Sequence, residues 1–205
     1  MKPEYWNQAI KDLSRKDPVM KKLIASYRGE TLRSRGNAFE TLARSIVGQQ
    51  ISVKAADSVW KRVLAECKKV TPLIVEKKTF DQLRACGLSE RKVIYIKDLA
   101  HHFLEKKILP HGWPHHTDEE IIDQLVAVKG IGRWTAEMFL IFHLMRPNVF
   151  PDADLGLQKA IALNYKVRYP LSPANLKKFR KLYSPWASVA VWYLWRSLDP
   201  IPVEY

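Results

Sequence analysis

Apolar residues in this chain recur at helical spacing behind capping residues, while strand-like alternation with hairpin turns is scarce. Phe39, Leu42, Ala43, Ile46 and Val47 fall at i, i+3, i+4, i+7 and i+8, the pattern that lines one face of a helix. Val93, Ile94, Ile96, Lys97 and Ala100 follow "GLSERK", where Ser89 is placed to cap. A third helix starts at "TDEE", with Thr117 as N-cap and Glu120 at the capping-box position, and runs through Ile121, Ile122, Leu125 and Val126. The pattern predicts an all-α protein of about ten helices at ordinary helix and loop lengths. It shows no internal repeat and no low-complexity segment. "ILPHGWPHH", Ile108 to His116, reads as an irregular loop from its Pro and Gly.

With 205 residues and 47% apolar composition, the chain can bury one core or two small lobes. Lys and Arg outnumber Asp and Glu by 34 to 21, a formal charge of +13 spread along the sequence. That balance favours a polyanionic partner, most simply nucleic acid. Seven Trp and eight Tyr among the basic residues add surfaces on which bases stack. Cys67 and Cys86 are the only cysteines, too few for a disulfide scaffold or a four-cysteine zinc or iron–sulfur site. The charged N-terminus lacks a secretory signal, and "MFLIFHLM", Met138 to Met145, is far shorter than the roughly 20 residues of a membrane helix. A soluble, cytoplasmic protein is expected. His101, His102, His111, His115 and His116 cluster in sequence without a carboxylate or cysteine set at ligand spacing, so a metal site there is not favoured.

"VKGIGRWTAE", Val128 to Glu137, places two glycines between helical runs. A P-loop needs GxxxxGK before Ser or Thr, which does not occur, and a dinucleotide fingerprint needs a small third residue where Thr135 stands. What remains is a tight turn between two helices, with Gly130 and Gly132 expected to permit close approach and positive φ. The helix beginning near Arg133 would present backbone N–H groups suited to a phosphate oxygen.

"LVAVKGIGRWTAEMFLIF" followed by "NVFPDADLG" resembles the helix-hairpin-helix motif and Gly/Pro-rich aspartate loop of the DNA glycosylase superfamily. "FETLARSIVGQQISVKAA", "LRACGLSERKVIYIKDLA" and "YSPWASVAVWYLWR" resemble its 3-methyladenine DNA glycosylase II branch, in the same order. The resemblance covers most of the chain from about Phe39 onward. It implies two helical lobes, one over residues 38–147 carrying the hairpin (about 128–133), the other over 1–37 plus 148–205, with an active-site cleft between them. The extra N-terminal β domain of larger members is not expected before Phe39.

The resemblance also implies roles. Hydrolysis of an N-glycosidic bond builds positive charge on the sugar, which one fixed carboxylate stabilises while orienting a water. On local sequence Asp154 reads as an ordinary helix N-cap; the family pattern makes it the catalytic aspartate, with Asp152 in support. Where bifunctional relatives carry a Schiff-base lysine after the hairpin, this chain has Trp134, implying a monofunctional enzyme that leaves an abasic site. Trp134, Met138 and Trp195 stand at base-pocket positions; Met138 departs from the tyrosine of the better-studied branch. Trp195 and Trp186 read equally well as core of an amphipathic final helix. Gln50, with Ile51 beside it, stands where the family inserts a side chain into the duplex gap, although a solvated polar helix terminus fits the same residues. Lys129, Gly130, Gly132 and Arg133 would hold the DNA backbone, and the carbonyls of Val126, Val128 and Ile131 a monovalent cation, with no cofactor required. The expected substrate is double-stranded DNA with alkylated bases such as 3-methyladenine or 7-methylguanine, handled by a monomer. A glycosylase for deaminated or mismatched bases and a non-catalytic DNA-binding module are the competing readings.

Overall fold

The computed structural model describes residues 2–34 and 36–199, and every regular element among them is helical. In chain order the first six are α1 (Trp6–Lys16), α2 (Pro18–Ser26), α3 (Ala38–Gly48), α4 (Val53–Cys67), α5 (Pro72–Lys77) and α6 (Phe80–Ala85). They are followed by α7 (Glu90–Leu104), a 3-10 helix (Pro110–His115), α8 (Asp118–Val126) and α9 (Arg133–Phe142). The last three are α10 (Leu155–Tyr165), α11 (Pro173–Tyr183) and α12 (Ala187–Arg196). The number exceeds the sequence expectation partly because α5 and α6 are short helices of six residues each. Thr71 before Pro72, and the capping box of Thr79 with Gln82, start them, and neither is long enough to show a helical period.

The caps predicted at Ser89 and Thr117 form, and the structure adds others of the same kind. Asn37, Ser52, Ser89, Thr117 and Ser172 each accept a backbone N–H three residues on, satisfying donors that a helix start leaves without an intrahelical partner. The apolar face of α3 is buried as its spacing requires. The "ILPHGWPHH" segment departs from the irregular loop expected of it. Its 3-10 helix buries Trp113, whose Nε1–H donates to Gln124 Oε1 at 3.0 Å and whose ring meets Phe139 edge-on at 5.4 Å.

The chain forms two compact units: residues 36–139, and residues 2–34 together with 140–199. In the first, α7 packs on α3 and α5, and α3 on α4. In the second, α12 packs on α1, α2, α10 and α11. The later break falls inside α9, whereas the sequence reading put it after residue 147. Phe139 packs on Trp113 in one unit and Phe142 stacks on Trp195 in the other, and a continuous apolar helix carries no turn residue to mark that change. α12 is buried at nearly every position, Trp192 and Tyr193 included, so it is a core helix and not the amphipathic one expected.

Candidate active site

The "NVFPDADLG" loop is anchored by a residue with no obvious role in the sequence. Ser188, in the first turn of α12, is fully buried. Its hydroxyl donates to Arg146 O at 2.5 Å and accepts from Val149 N at 3.0 Å, and its own N–H donates to Pro147 O at 3.0 Å. Three hydrogen bonds from one side chain and its backbone thus fix the start of the loop. Farther on, Asp154 N donates to Pro151 O at 2.9 Å, and Gln158 Nε2 to Asp152 O at 2.7 Å.

This loop delivers Asp154 to the N-cap of α10, where its Oδ1 accepts the Leu157 N–H at 2.5 Å. The same oxygen accepts the indole Nε1–H of Trp195 at 3.0 Å. Trp195 is therefore held to the carboxylate by its polar edge, while its ring stacks on Phe142 with centroids 5.9 Å apart and planes 13° from parallel. Gly156 explains the Leu-Gly pair after the aspartate: a Cβ there would lie 3.1 Å from Asp154 Oδ1 and 3.7 Å from the Trp195 ring. Asp152 faces a different partner, Arg180 Nη2 at 2.5 Å, in an exposed ion pair. Trp186 is structural, stacked on Tyr5 at 5.7 Å with its Nε1–H on Asp12 Oδ2 at 3.0 Å.

The other candidate residues lie in the unit of residues 36–139. The glycine loop joins α8 to α9 as expected, but its two glycines differ. Gly130 has φ +81°, and a Cβ there would collide with the Tyr95 ring at 2.2 Å. Gly132 does not have positive φ, and a Cβ there would meet nothing within 4 Å. The expectation that both need left-handed backbone is thus corrected: packing inside the protein demands Gly130, whereas Gly132 leaves open space over the start of α9. Val126 ends α8, Val128 and Ile131 are buried in the turn, and Ile131 N donates to Val128 O at 3.1 Å.

The two charges beside the glycines also differ. Arg133 holds Glu119 through both terminal nitrogens, at 2.8 and 2.5 Å, and places its Nε 3.2 Å from the buried Glu137. Those hydrogen bonds push the guanidinium pKa further up. Lys129 extends into solvent, with its ammonium 3.6 Å from Asp98 and its backbone N–H donating to Asp98 Oδ2 at 2.8 Å. On α9, Trp134 is 43% exposed, whereas Met138 is buried. Between α3 and α4, Gln50 is exposed in left-handed conformation with φ +59°, and Ile51 and Val53 beside it are 40% and 78% exposed. Gln49 donates from Nε2 to Gly130 O at 2.8 Å. The sequence reading missed Gln49, Tyr95 and Asp98, because each acts on a partner far along the chain; only the Gln-Gln doublet offered a hint.

An all-helical chain with a glycine hairpin between α8 and α9, followed by an aspartate capping the next helix, has the architecture of the helix-hairpin-helix class. The chain belongs to the HhH-GPD superfamily of base excision DNA repair proteins, whose sequence pattern matches residues 43–184. It is 32% identical over 182 residues to DNA-3-methyladenine glycosylase 1 of Schizosaccharomyces pombe, covering 86% of this chain and 79% of that protein. With the DNA-3-methyladenine glycosylase of Saccharomyces cerevisiae it shares 32% identity over 213 residues, covering 96% and 72%. Among solved structures, the S. pombe 3-methyladenine DNA glycosylase in complex with abasic DNA aligns at TM-score 0.79 with 28% identity, covering 97% of this chain and all of that one. A DNA-3-methyladenine glycosidase from Bacillus halodurans aligns at TM-score 0.84 with 30% identity, covering 93% and 89%.

Proposed function

We propose that this protein is a monofunctional DNA glycosylase that removes alkylated bases from duplex DNA and leaves an abasic site. The observation that carries the reading is the Asp154 carboxylate, fixed on Oδ1 by both the α10 N-terminus and the Trp195 indole, in a chain similar to 3-methyladenine glycosylases over most of its length.

The chemistry follows from the residues. As the C1′–N bond breaks, its electron pair leaves with the base, and positive charge develops on the sugar. A carboxylate held in one rotamer stabilises that charge without reorganising during the reaction and orients the attacking water. An N-alkylated purine leaves readily, so the same carboxylate suffices without a dedicated general acid. The exposed face of Trp134 suits an electron-deficient base by stacking and cation–π attraction, and its indole cannot form a Schiff base, which supports hydrolysis without strand cleavage.

Flipping the nucleotide costs a few kcal/mol of stacking, which a side chain entering the gap offsets. Gln50 and Ile51 are exposed on a strained turn suited to that task. The hairpin grips the backbone through the amides at Gly130 and Gly132, with Lys129 as the exposed cation; Arg133, occupied by Glu119 and Glu137, braces the hairpin instead. Asp152, paired with Arg180, supports Asp154 through the loop backbone. The carbonyls of Val126, Val128 and Ile131 are the group that would hold a monovalent cation. Val128 O spends one lone pair on Ile131 N–H and keeps the other.

The test is base release from duplexes carrying 3-methyladenine, 7-methylguanine, hypoxanthine or an oxidised purine, with wild type and Asp154→Asn. Asn preserves the N-cap, so folding is expected to be retained while release of alkylated bases falls by about 10² or more. No release by either protein would leave a DNA-binding module, equal release by both would remove Asp154 from catalysis, and release confined to neutral lesions would reassign the substrate.

A further inference from the structure

Gln49 lies beside the exposed Gln50 turn, yet its own side chain points to the hairpin. Its Nε2 donates to Gly130 O at 2.8 Å. The N–H of that same peptide unit, Ile131 N, donates to Val128 O at 3.1 Å. One peptide plane is therefore pinned at both ends, and its orientation sets where the following Gly132 amide points.

Helix α7 supplies a common base for both loops. Lys92, Tyr95 and Asp98, three residues apart, share one side of α7. Lys92 Nζ donates to Val47 O at 2.8 Å, holding the C-terminal turn of α3, from which the Gln49–Gln50 turn departs. The Tyr95 ring backs Gly130 so closely that no Cβ fits. Asp98 accepts the Lys129 N–H at 2.8 Å on the approach to the glycines. The insertion turn and the hairpin thus rest on one helix and are joined to each other by Gln49.

We infer that Gln49 is a positioning residue that sets the register between the turn entering the duplex and the hairpin gripping its backbone. This rests on the glycosylase reading above. Separate loops would each bind DNA, but extrusion needs the side chain and the phosphate grip to act on adjacent nucleotides, where misplacement by about 1 Å costs rate. A glutamate at this position keeps the shape of Gln49 and loses the donor.

The experiment compares wild type, Gln49→Glu and Gln49→Ala in the full chain. Amide hydrogen exchange over residues 128–133 reads the coupling; base release from matched alkylated duplex and single strand reads its consequence. Expected are about tenfold faster exchange in the hairpin, the scale of one lost hydrogen bond, and a five- to tenfold loss on duplex with less than twofold change on single strand. Unchanged hairpin exchange in Gln49→Glu, or equal loss on both substrates, overturns the assignment. If wild type releases no alkylated base, the glycosylase reading fails by itself, and affinity for a duplex with a tetrahydrofuran abasic analogue replaces release as the readout for Gln49: a five- to tenfold weakening sustains the register role and unchanged affinity ends it.

Discussion

The indole N–H of Trp195 donates to Oδ1 of Asp154 at 3.0 Å, so the tryptophan expected to stack on a base is tied by its polar edge to the carboxylate proposed for catalysis. Trp195→Phe keeps an aromatic ring against Phe142 and removes the Nε1–H donor together with part of the indole's volume. A hydrogen bond to a charged group is worth about 1.5–3 kcal/mol, so roughly a tenfold or greater loss in the single-turnover rate is expected, with substrate affinity nearly unchanged. If the residue served only to bind the base, the loss would appear in affinity and the rate at saturation would hold.

Gly156 separates stability from activity at the same place. Alanine is favoured over glycine in a helix by about 1 kcal/mol, but its Cβ would press on Asp154 Oδ1 from 3.1 Å. Gly156→Ala is expected to leave Tm within a few degrees of wild type, while the rate of base release drops at least tenfold. Thermal melts run beside single-turnover assays give both numbers.

The two hairpin glycines are expected to fail differently. Gly130→Ala meets Tyr95 and a φ of +81°, and left-handed backbone alone costs a non-glycine residue about 1–2 kcal/mol. It should lower stability by more than about 2 kcal/mol in urea unfolding. Gly132→Ala meets open space within the protein; it should unfold like wild type and, on the proposed phosphate grip at this amide, bind duplex DNA less tightly because the methyl group would occupy that space.

Lys129 and Arg133 are adjacent to these glycines and carry the same charge, yet their partners predict opposite outcomes. Lys129→Ala should weaken DNA binding and reduce the slope of log K against log[salt] by roughly one, the signature of a lost phosphate contact. Arg133→Ala should leave that slope near its wild-type value and reduce stability, since it removes an ion pair to the buried Glu137 and both hydrogen bonds to Glu119. Titrations at several salt concentrations discriminate the two.

With Trp134 where a Schiff-base lysine would stand, borohydride is expected to trap no covalent protein–DNA adduct, and the product strand should break only after alkali. An adduct that disappears on substitution of one particular lysine would establish lyase chemistry.

Much of this molecule is local and was therefore legible. Caps such as Ser89 and Thr117 act within three residues of themselves, the face of α3 repeats within two turns, and Asp154 caps the helix that begins at the next residue. The sequence by itself determined an all-helical chain, a glycine hairpin and an aspartate at a helix start. Only the tertiary structure decided which atom each side chain meets: Trp195 on Asp154 across 41 positions, Asp98 on the Lys129 amide across 31, Gln49 on Gly130 across 81. It also distinguished a glycine required by Tyr95 from one that leaves space open, and a braced arginine from an exposed lysine. Helical periodicity reports which face of a helix is buried, not which partner covers it, because any apolar surface satisfies the hydrophobic effect. Directional hydrogen bonds do require a particular partner, and those partners come together only when the helices pack.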